Sequence, residues 1–325
     1  MSAPVRRIVA ALLLAVLLLV GAAACGQRAD TGLPSQAASD TDPGSIAYAT
    51  MLQFSKTVGP RPADSWGEIR AREFVLHAFQ QYGYEPTWQE FIAGEGDERV
   101  HSGNVVALKS GDSGKMLVVG AHVDGVKGSP AASDNASGVG ALIEVAARLK
   151  DEETPYSIAF VAFGAEEAGL YGSLHYLEAL TGTERDEILG MINLDGIAGG
   201  ETLYAYGTEG AGSWLLGDIL AVADDIGVKL DSDVVLQVTP PVSRGVGYEI
   251  AGDHIPFAGY GVPVAGFITA DDHLTAARES FWPMNTPADT MATMTKEHPG
   301  LAQRQLRDVV RVLDIVLTSK LAKKP

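Results

Sequence analysis

A histidine and an aspartate stand two residues apart in GAHVDG, residues 120–125, at the exit of the apolar run MLVV. Glu166 and Glu167 follow another apolar run, SIAFVAFGA. Asp195 follows MINL, and Asp134 sits in SDNASG ahead of a helix-like segment. Taken singly, each has a plainer role. Asp134 would cap the helix it precedes. The Glu pair would be solvated charges near a helix N-terminus. Asp195-Gly196 would be a turn, and His122 would only be hydrogen-bonded. Taken together, they require more. Asp134, Glu166, Glu167 and Asp195 gathered with an imidazole at one sheet edge would repel strongly without a cation. Carboxylate–imidazole sets suit Zn²⁺, with Mn²⁺ or Co²⁺ also compatible.

The elements that must gather them are legible as periodicity. Apolar spacing of 3–4 residues predicts helices over 46–58, 68–82, 137–150, 170–180, 212–226 and 301–321. EPTWQEFI, SGNVVALKS, residues 115–121, 157–163 and 188–194, LYAYG, VVLQV and VPVAGFIT read as strands. The runs at 115–121, 157–163 and 188–194 are apolar on both faces, and strands alternate with helices. That pattern implies a largely parallel sheet covered on both sides. In such sheets sites form outside the carboxyl ends of the strands, where these residues lie. There is no internal repeat, and the alternation is continuous, so one domain over 46–325 is expected.

The 325 residues carry a formal net charge of −17, and 46% of them are hydrophobic. The charge argues against a nucleic-acid partner and against a polybasic membrane surface. Arg6 and Arg7 precede an apolar run over 8–20 and the small residues of AAAC. A basic start, a short apolar run and a small-residue exit make residues 1–24 an export signal; a membrane span needs about 20 apolar residues. The alternative for this segment is an N-terminal membrane anchor. AAAC resembles the bacterial lipobox, so Cys25 is expected to be lipidated, with an ordinary signal and an incidental cysteine as the alternative. The expected place is therefore outside the cytoplasm, as a bacterial membrane lipoprotein held by its lipid alone, or secreted. Cys25 is the only cysteine, so no intramolecular disulfide forms. The rest of 25–45 is polar, lacks aromatics and reads as a disordered tether.

GPR at 59–61, GAHVDG, SDNASGVGALIEVA, FGAEEAGLYGS, INLDG, GDHIPF and NTPADT occur in this order. The ordered set resembles the co-catalytic zinc exopeptidases of metallopeptidase family 28, which include secreted bacterial aminopeptidases and have glutaminyl cyclases as close structural relatives. The likeness spans about residues 46–320. It implies a single three-layer α/β/α domain with a mixed, largely parallel central sheet. It also implies a peptide substrate attacked by metal-activated water. His122 and Asp195 would hold one metal, Asp134 would bridge two, and Glu167 would bind the second. Glu166 would be the general base. Asp124 would stand behind His122 and fix its tautomer. The resemblance also implies a cis peptide between Asp134 and Asn135.

One position departs from the pattern. The family usually has a histidine ligand to the second metal just before TPADT, and here the residue is Asn285. A neutral amide is a poorer zinc ligand than imidazole, so one tight zinc site and one weak or empty one are expected. His273, on the preceding loop, is the candidate replacement. His254 in GDHIPF is expected to support the site rather than ligate, and Gly252 replaces the usual serine there. The leading reading is an aminopeptidase. Its rivals are a carboxypeptidase or dipeptidase of the same family, and a non-hydrolytic binding protein with a degraded second metal site. A glutaminyl cyclase is disfavoured, because its single metal would use the damaged position.

Overall fold

The computed structural model describes residues 32–33, 42–96, 99–208, 210–232, 251–270 and 283–319. Cys25, His273 and the expected strand VVLQV lie outside the described residues. The strands are β1 (Thr87–Ala93), β2 (Val100–Lys109), β3 (Met116–His122), β4 (Ser157–Phe163), β5 (Ile188–Leu194), β6 (Thr202–Gly207) and β7 (Val264–Ala270). The helices are α1 (Ser45–Thr57), α2 (Trp66–Gln81), α3 (Gly138–Leu149), α4 (Tyr171–Ala179), α5 (Gly182–Asp186), α6 (Trp214–Asp225), α7 (His254–Gly259), α8 (Met291–Glu297) and α9 (Leu301–Thr318).

The strands form one seven-stranded sheet in the order β1-β2-β4-β3-β5-β7-β6. The pairs β4–β3, β3–β5 and β5–β7 are parallel. The flanking pairs β1–β2, β2–β4 and β6–β7 are antiparallel. The parallel character predicted from two-sided apolar strands thus belongs to the four central strands, and the edges run the other way. Alternation along each central strand divides the core. Leu117, Val119, Ile158, Phe160 and Ala162 join a large apolar cluster with α1, α2, α3, α6 and α9. Val118, Ala159, Val161 and Phe163 join a smaller one with Tyr176 of α4 and Phe257 of α7. The period of two in a strand forces this division. Two helical layers around one sheet make the expected three-layer domain.

Helix boundaries moved where capping chemistry overrode apolar spacing. α2 begins two residues before the expected 68, because the Ser65 side chain accepts the Glu68 N–H at 3.2 Å and caps the helix. α9 stops at Thr318, where Ser319 turns extended (ψ 152°). Its buried Leu306, Val309, Val310, Leu313, Val316 and Leu317 fall on one stripe. Each such side chain contributes about 1.5–3 kcal/mol on burial. No helix among the described residues is long and apolar enough to cross a membrane.

Candidate metal centre

The parallel strands β3, β4 and β5 end side by side, and each delivers acidic or imidazole groups to the same edge. His122 is the last residue of β3. Its Nε2 lies 3.0 Å from Asp134 Oδ1 and 3.2 Å from Asp195 Oδ1, just past β5. Its Nδ1 faces Asp124 Oδ1 at 3.4 Å. The ligand atoms of His122, Asp134 and Asp195 all lie within 4.8 Å of one another, and so do those of His122, Glu166 and Glu167. The two groups share His122. The residues picked out by type and spacing therefore do converge in space.

Asp124 is fully buried and holds the neighbouring strand exit. Its Oδ1 accepts the Glu166 N–H at 3.0 Å and its Oδ2 the Glu167 N–H at 3.1 Å. One carboxylate thus fixes the backbone of both glutamates while facing the imidazole. Asp134 is carried by an irregular turn, Ala132–Ser137, that leads into α3. The Asp134–Asn135 peptide is cis. The Asn135 side chain ties this turn to the β5 exit: Nδ2 donates to Leu194 O at 2.8 Å, and Oδ1 accepts the Gly196 N–H at 3.3 Å.

The electrostatics of the cluster point to a missing positive charge. Burial, with Asp195 beside it, raises the proton affinity of Asp134. Burial and then Asp134 push Glu167 up to about 8. Burial holds Glu166 well above the ordinary carboxylate range, against the pull of His122. Burial works to lower the His122 pKa, but Glu166 and Asp195 outweigh it and hold the imidazole well above its ordinary value. Among the described residues the cluster holds one imidazole, whose Nε2 faces two carboxylates, and the buried Arg61 guanidinium acts on Asp134 and Glu167 from beside it. Glu167 Oε1 is buried and accepts no hydrogen bond among the described residues. Buried charges of one sign are stable only when paired or metal-bound. The donor set, imidazole plus carboxylates, fits zinc.

A family model described as peptidase family M28 matches residues 104–310. The chain belongs to peptidase family M28. It is 27% identical to the alkaline phosphatase isozyme conversion protein of Escherichia coli, over 88% of this chain and 93% of that one. It is 32% identical to aminopeptidase YwaD of Bacillus subtilis, over 60% of this chain and 41% of that one. A probable lipoprotein aminopeptidase, LpqL of Mycobacterium tuberculosis, is 29% identical over 55% of this chain and 37% of its own length. The chain thus spans nearly all of the first relative and less than half of the other two. Among solved structures, a zinc aminopeptidase from Bacillus subtilis superposes with a TM-score of 0.67 at 19% identity, covering 84% of this chain and 94% of that one. A glutaminyl cyclase from an Acidobacteriales bacterium gives 0.68 at 20%, covering 87% and 98%. These two likenesses establish the M28 fold, shared by peptidases and cyclases.

Three supports of this cluster carried no assigned role in the sequence reading. Asp289, in TPADT, accepts the Ser133 and Asp134 N–H groups at 2.6 and 3.1 Å. It thereby fixes the turn that presents Asp134; burial pushes its pKa up to about 6. Arg61, in GPR, is fully buried. It donates to Val123 O at 2.6 Å, between His122 and Asp124, and to Ala131 O at 2.7 Å, three residues before Asp134. Glu68, on the first turn of α2, accepts the Ala165 N–H at 3.0 Å. Arg61 and Asp289 stand in quoted motifs and Glu68 in none, but the partners of all three lie tens of residues away or more, and nothing local signals them.

The remaining expected residues divide. His254 is fully buried, with Nδ1 3.5 Å from the Tyr206 hydroxyl. Tyr206 in turn accepts from Asn193 Nδ2 at 3.1 Å, two residues before Asp195. That contact fits a supporting role. At Gly252, a Cβ would stand 3.3 Å from both Asp195 Oδ2 and His254 Nδ1, so glycine leaves this corner open. Asn285 is exposed and left-handed, with φ +58°. Asparagine tolerates that conformation better than most residues, and its side chain makes no hydrogen bond among the described residues.

Proposed function

We propose that this M28 protein is an extracytoplasmic zinc-dependent aminopeptidase with Glu166 as its general base. The observation that carries the reading is the convergence of His122, Asp134, Asp195, Glu166 and Glu167 at one edge, short of positive charge. The zinc aminopeptidase and aminopeptidase names among its relatives favour peptides as substrates. When bound, zinc supplies a lowered pKa for a coordinated water and polarisation of the scissile carbonyl. His122, Asp134 and Asp195 would hold it tightly. Glu166, with its proton affinity raised by burial, takes the proton of the attacking water. It returns that proton to the leaving amine as the C–N bond breaks. Asp124 keeps His122 and both glutamates in register throughout.

Glu167 and Asp134 would hold a second metal weakly, because Asn285 offers no imidazole. Asn285→His is expected to tighten that second site and to raise activity with it. Two equally tight metals in the unaltered chain would sink this part of the reading. Location is proposed from the N-terminal sequence: Cys25→Ser should release the protein from the membrane fraction, and continued retention of the cleaved variant would argue against lipidation.

The deciding experiment for the function is zinc quantification on the purified protein together with a panel of aminoacyl-anilides, N-blocked peptides and dipeptides. Hydrolysis of free-amine anilides, lost on chelation and restored by zinc, is the expected result. Cleavage only from the carboxyl end or only of dipeptides would reassign the exopeptidase class. Zinc binding with no hydrolysis would favour the binding-protein reading that Asn285 motivates.

A further inference from the structure

Glu166 is presented by a backbone that needs holding. Gly164, Ala165, Glu166 and Glu167 leave β4 in a tight turn, and Ala165 is left-handed at φ +53°, which disfavours a residue with a side chain. On the carbonyl side the turn closes on itself: Gly169 and Leu170 N–H donate to Glu166 O at 2.9 and 2.7 Å, and Tyr171 N–H to Ala165 O at 3.2 Å. On the amide side it has no internal partner. Asp124 takes the N–H groups of residues 166 and 167. The third, at Ala165, goes to Glu68 Oε1 at 3.0 Å.

Glu68 is built for that contact. It lies on the first turn of a 16-residue helix and is fully buried. The Ser102 hydroxyl donates to the same Oε1. The Asp64 N–H donates to Oε2 at 2.8 Å, so both oxygens are fixed. Gly164 makes room for it: a Cβ there would stand 2.9 Å from Glu68 Oε1 and 2.3 Å from Ser102 Oγ. Position 68 also lies outside the matched segment 104–310. Two buried carboxylates on different elements therefore clamp three consecutive amides.

We propose that Glu68 is a positioning residue for Glu166, fixing the Ala165 peptide so that the Glu166 side chain is aimed into the cluster. The inference rests on Glu166 being the base, as argued above. Misplacing a reacting group by about 1 Å costs on the order of 100-fold in rate. Glu68→Ala in the full chain should lower kcat by about 10- to 100-fold, with KM and zinc per chain unchanged. Amide hydrogen exchange over 164–167 should accelerate. In a Glu166→Gln background, Glu68→Ala should cost nothing further, because the group that it aims is already gone. Glu68→Gln, which keeps one acceptor oxygen for Ala165, should recover most of the loss.

Unchanged kcat in Glu68→Ala, a loss proportional to lost zinc, or losses that simply multiply in the double variant would each overturn the proposal. If Glu68→Ala does not fold, Ser102→Ala, which removes one of the two donors that hold Oε1, carries the same cycle with a smaller effect, and multiplying losses would again overturn it. Wild-type turnover in Glu166→Gln alone would instead overturn the base assignment. Exchange over 164–167 would then decide alone whether Glu68 holds this turn.

Discussion

Two buried acidic clusters of this protein are solved in opposite ways. In the helical layer, Glu144 of α3 is fully buried and accepts from Gly44 N at 2.8 Å and Ala47 N at 2.7 Å. It thereby caps α1, whose own N-cap, Gly44, has no side chain to do so. Arg148 pairs with Asp314 of α9 and lies 3.9 Å from Glu144. At the carboxyl edge of the sheet, by contrast, Asp134, Asp195, Glu166 and Glu167 crowd one imidazole, and Glu167 Oε1 accepts no hydrogen bond among the described residues. Burial raises the proton affinity of Glu144 and Asp314 too. Burial alone therefore does not separate the two clusters. What separates them is the cation: the helical cluster has the Arg148 guanidinium against its carboxylates, whereas four sheet-edge carboxylates crowd one imidazole. The paired carboxylates join helices; the crowded set is the proposed zinc site.

The largest test of this contrast is catalytic. Glu166→Gln should cut turnover by about 10²–10⁴, the usual worth of general acid–base catalysis, while zinc per chain stays normal. Glu144→Gln should leave turnover intact wherever the protein is folded. Steady-state kinetics and metal analysis on both variants check this, and equal losses would erase the distinction.

The next concerns what zinc does to stability. At about a thousandfold over its Kd, a ligand that binds only the folded state adds about 4 kcal/mol. Chemical denaturation with and without zinc should show a gain of that order in the wild type and in Glu144→Gln. His122→Ala should lose most of it. Glu144→Ala, in turn, strands the two amide donors of Gly44 and Ala47, and should cost about 3 kcal/mol with no change in zinc affinity. A loss of zinc binding in Glu144→Ala would mean that the two clusters are coupled.

The smallest effect is pH-dependent. Burial, and then Asp124, push Glu68 up to about 7 from an ordinary 4.5. Between those values the unfolded chain has released its proton while the folded one keeps it, so this group's contribution to stability falls as pH rises through that window. At about 1.4 kcal/mol per unit of difference, the loss is at most about 3.5 kcal/mol. In the metal-free protein, Glu68→Gln should flatten the decline between pH 4.5 and 7. An unchanged slope would show that Glu68 titrates normally.

Much of this architecture was written in local pattern. The runs MLVV, SIAFVAF and MINL are apolar on both faces, which alone demands a covered parallel sheet. The ligand candidates directly follow these runs, so a shared sheet edge followed from the fold rule. The −17 charge and the N-terminal leader pattern were equally local. Other features had no local signature. Asn285, for one, adopts a left-handed backbone that its neighbours do not announce.

Sequence by itself determined which residue types stand at strand exits, because side-chain periodicity is fixed by backbone geometry over a few residues. Tertiary structure alone decided which distant group satisfies which buried one. Glu68 meets Ala165 across 97 positions, Asp289 meets Asp134 across 155, and Glu144 caps a helix 97 positions before it. Such pairings depend on where the packed layers bring the chain together, and a hydrogen bond forms only within about 3 Å. That condition is set by packing of the whole domain and leaves no period in the sequence.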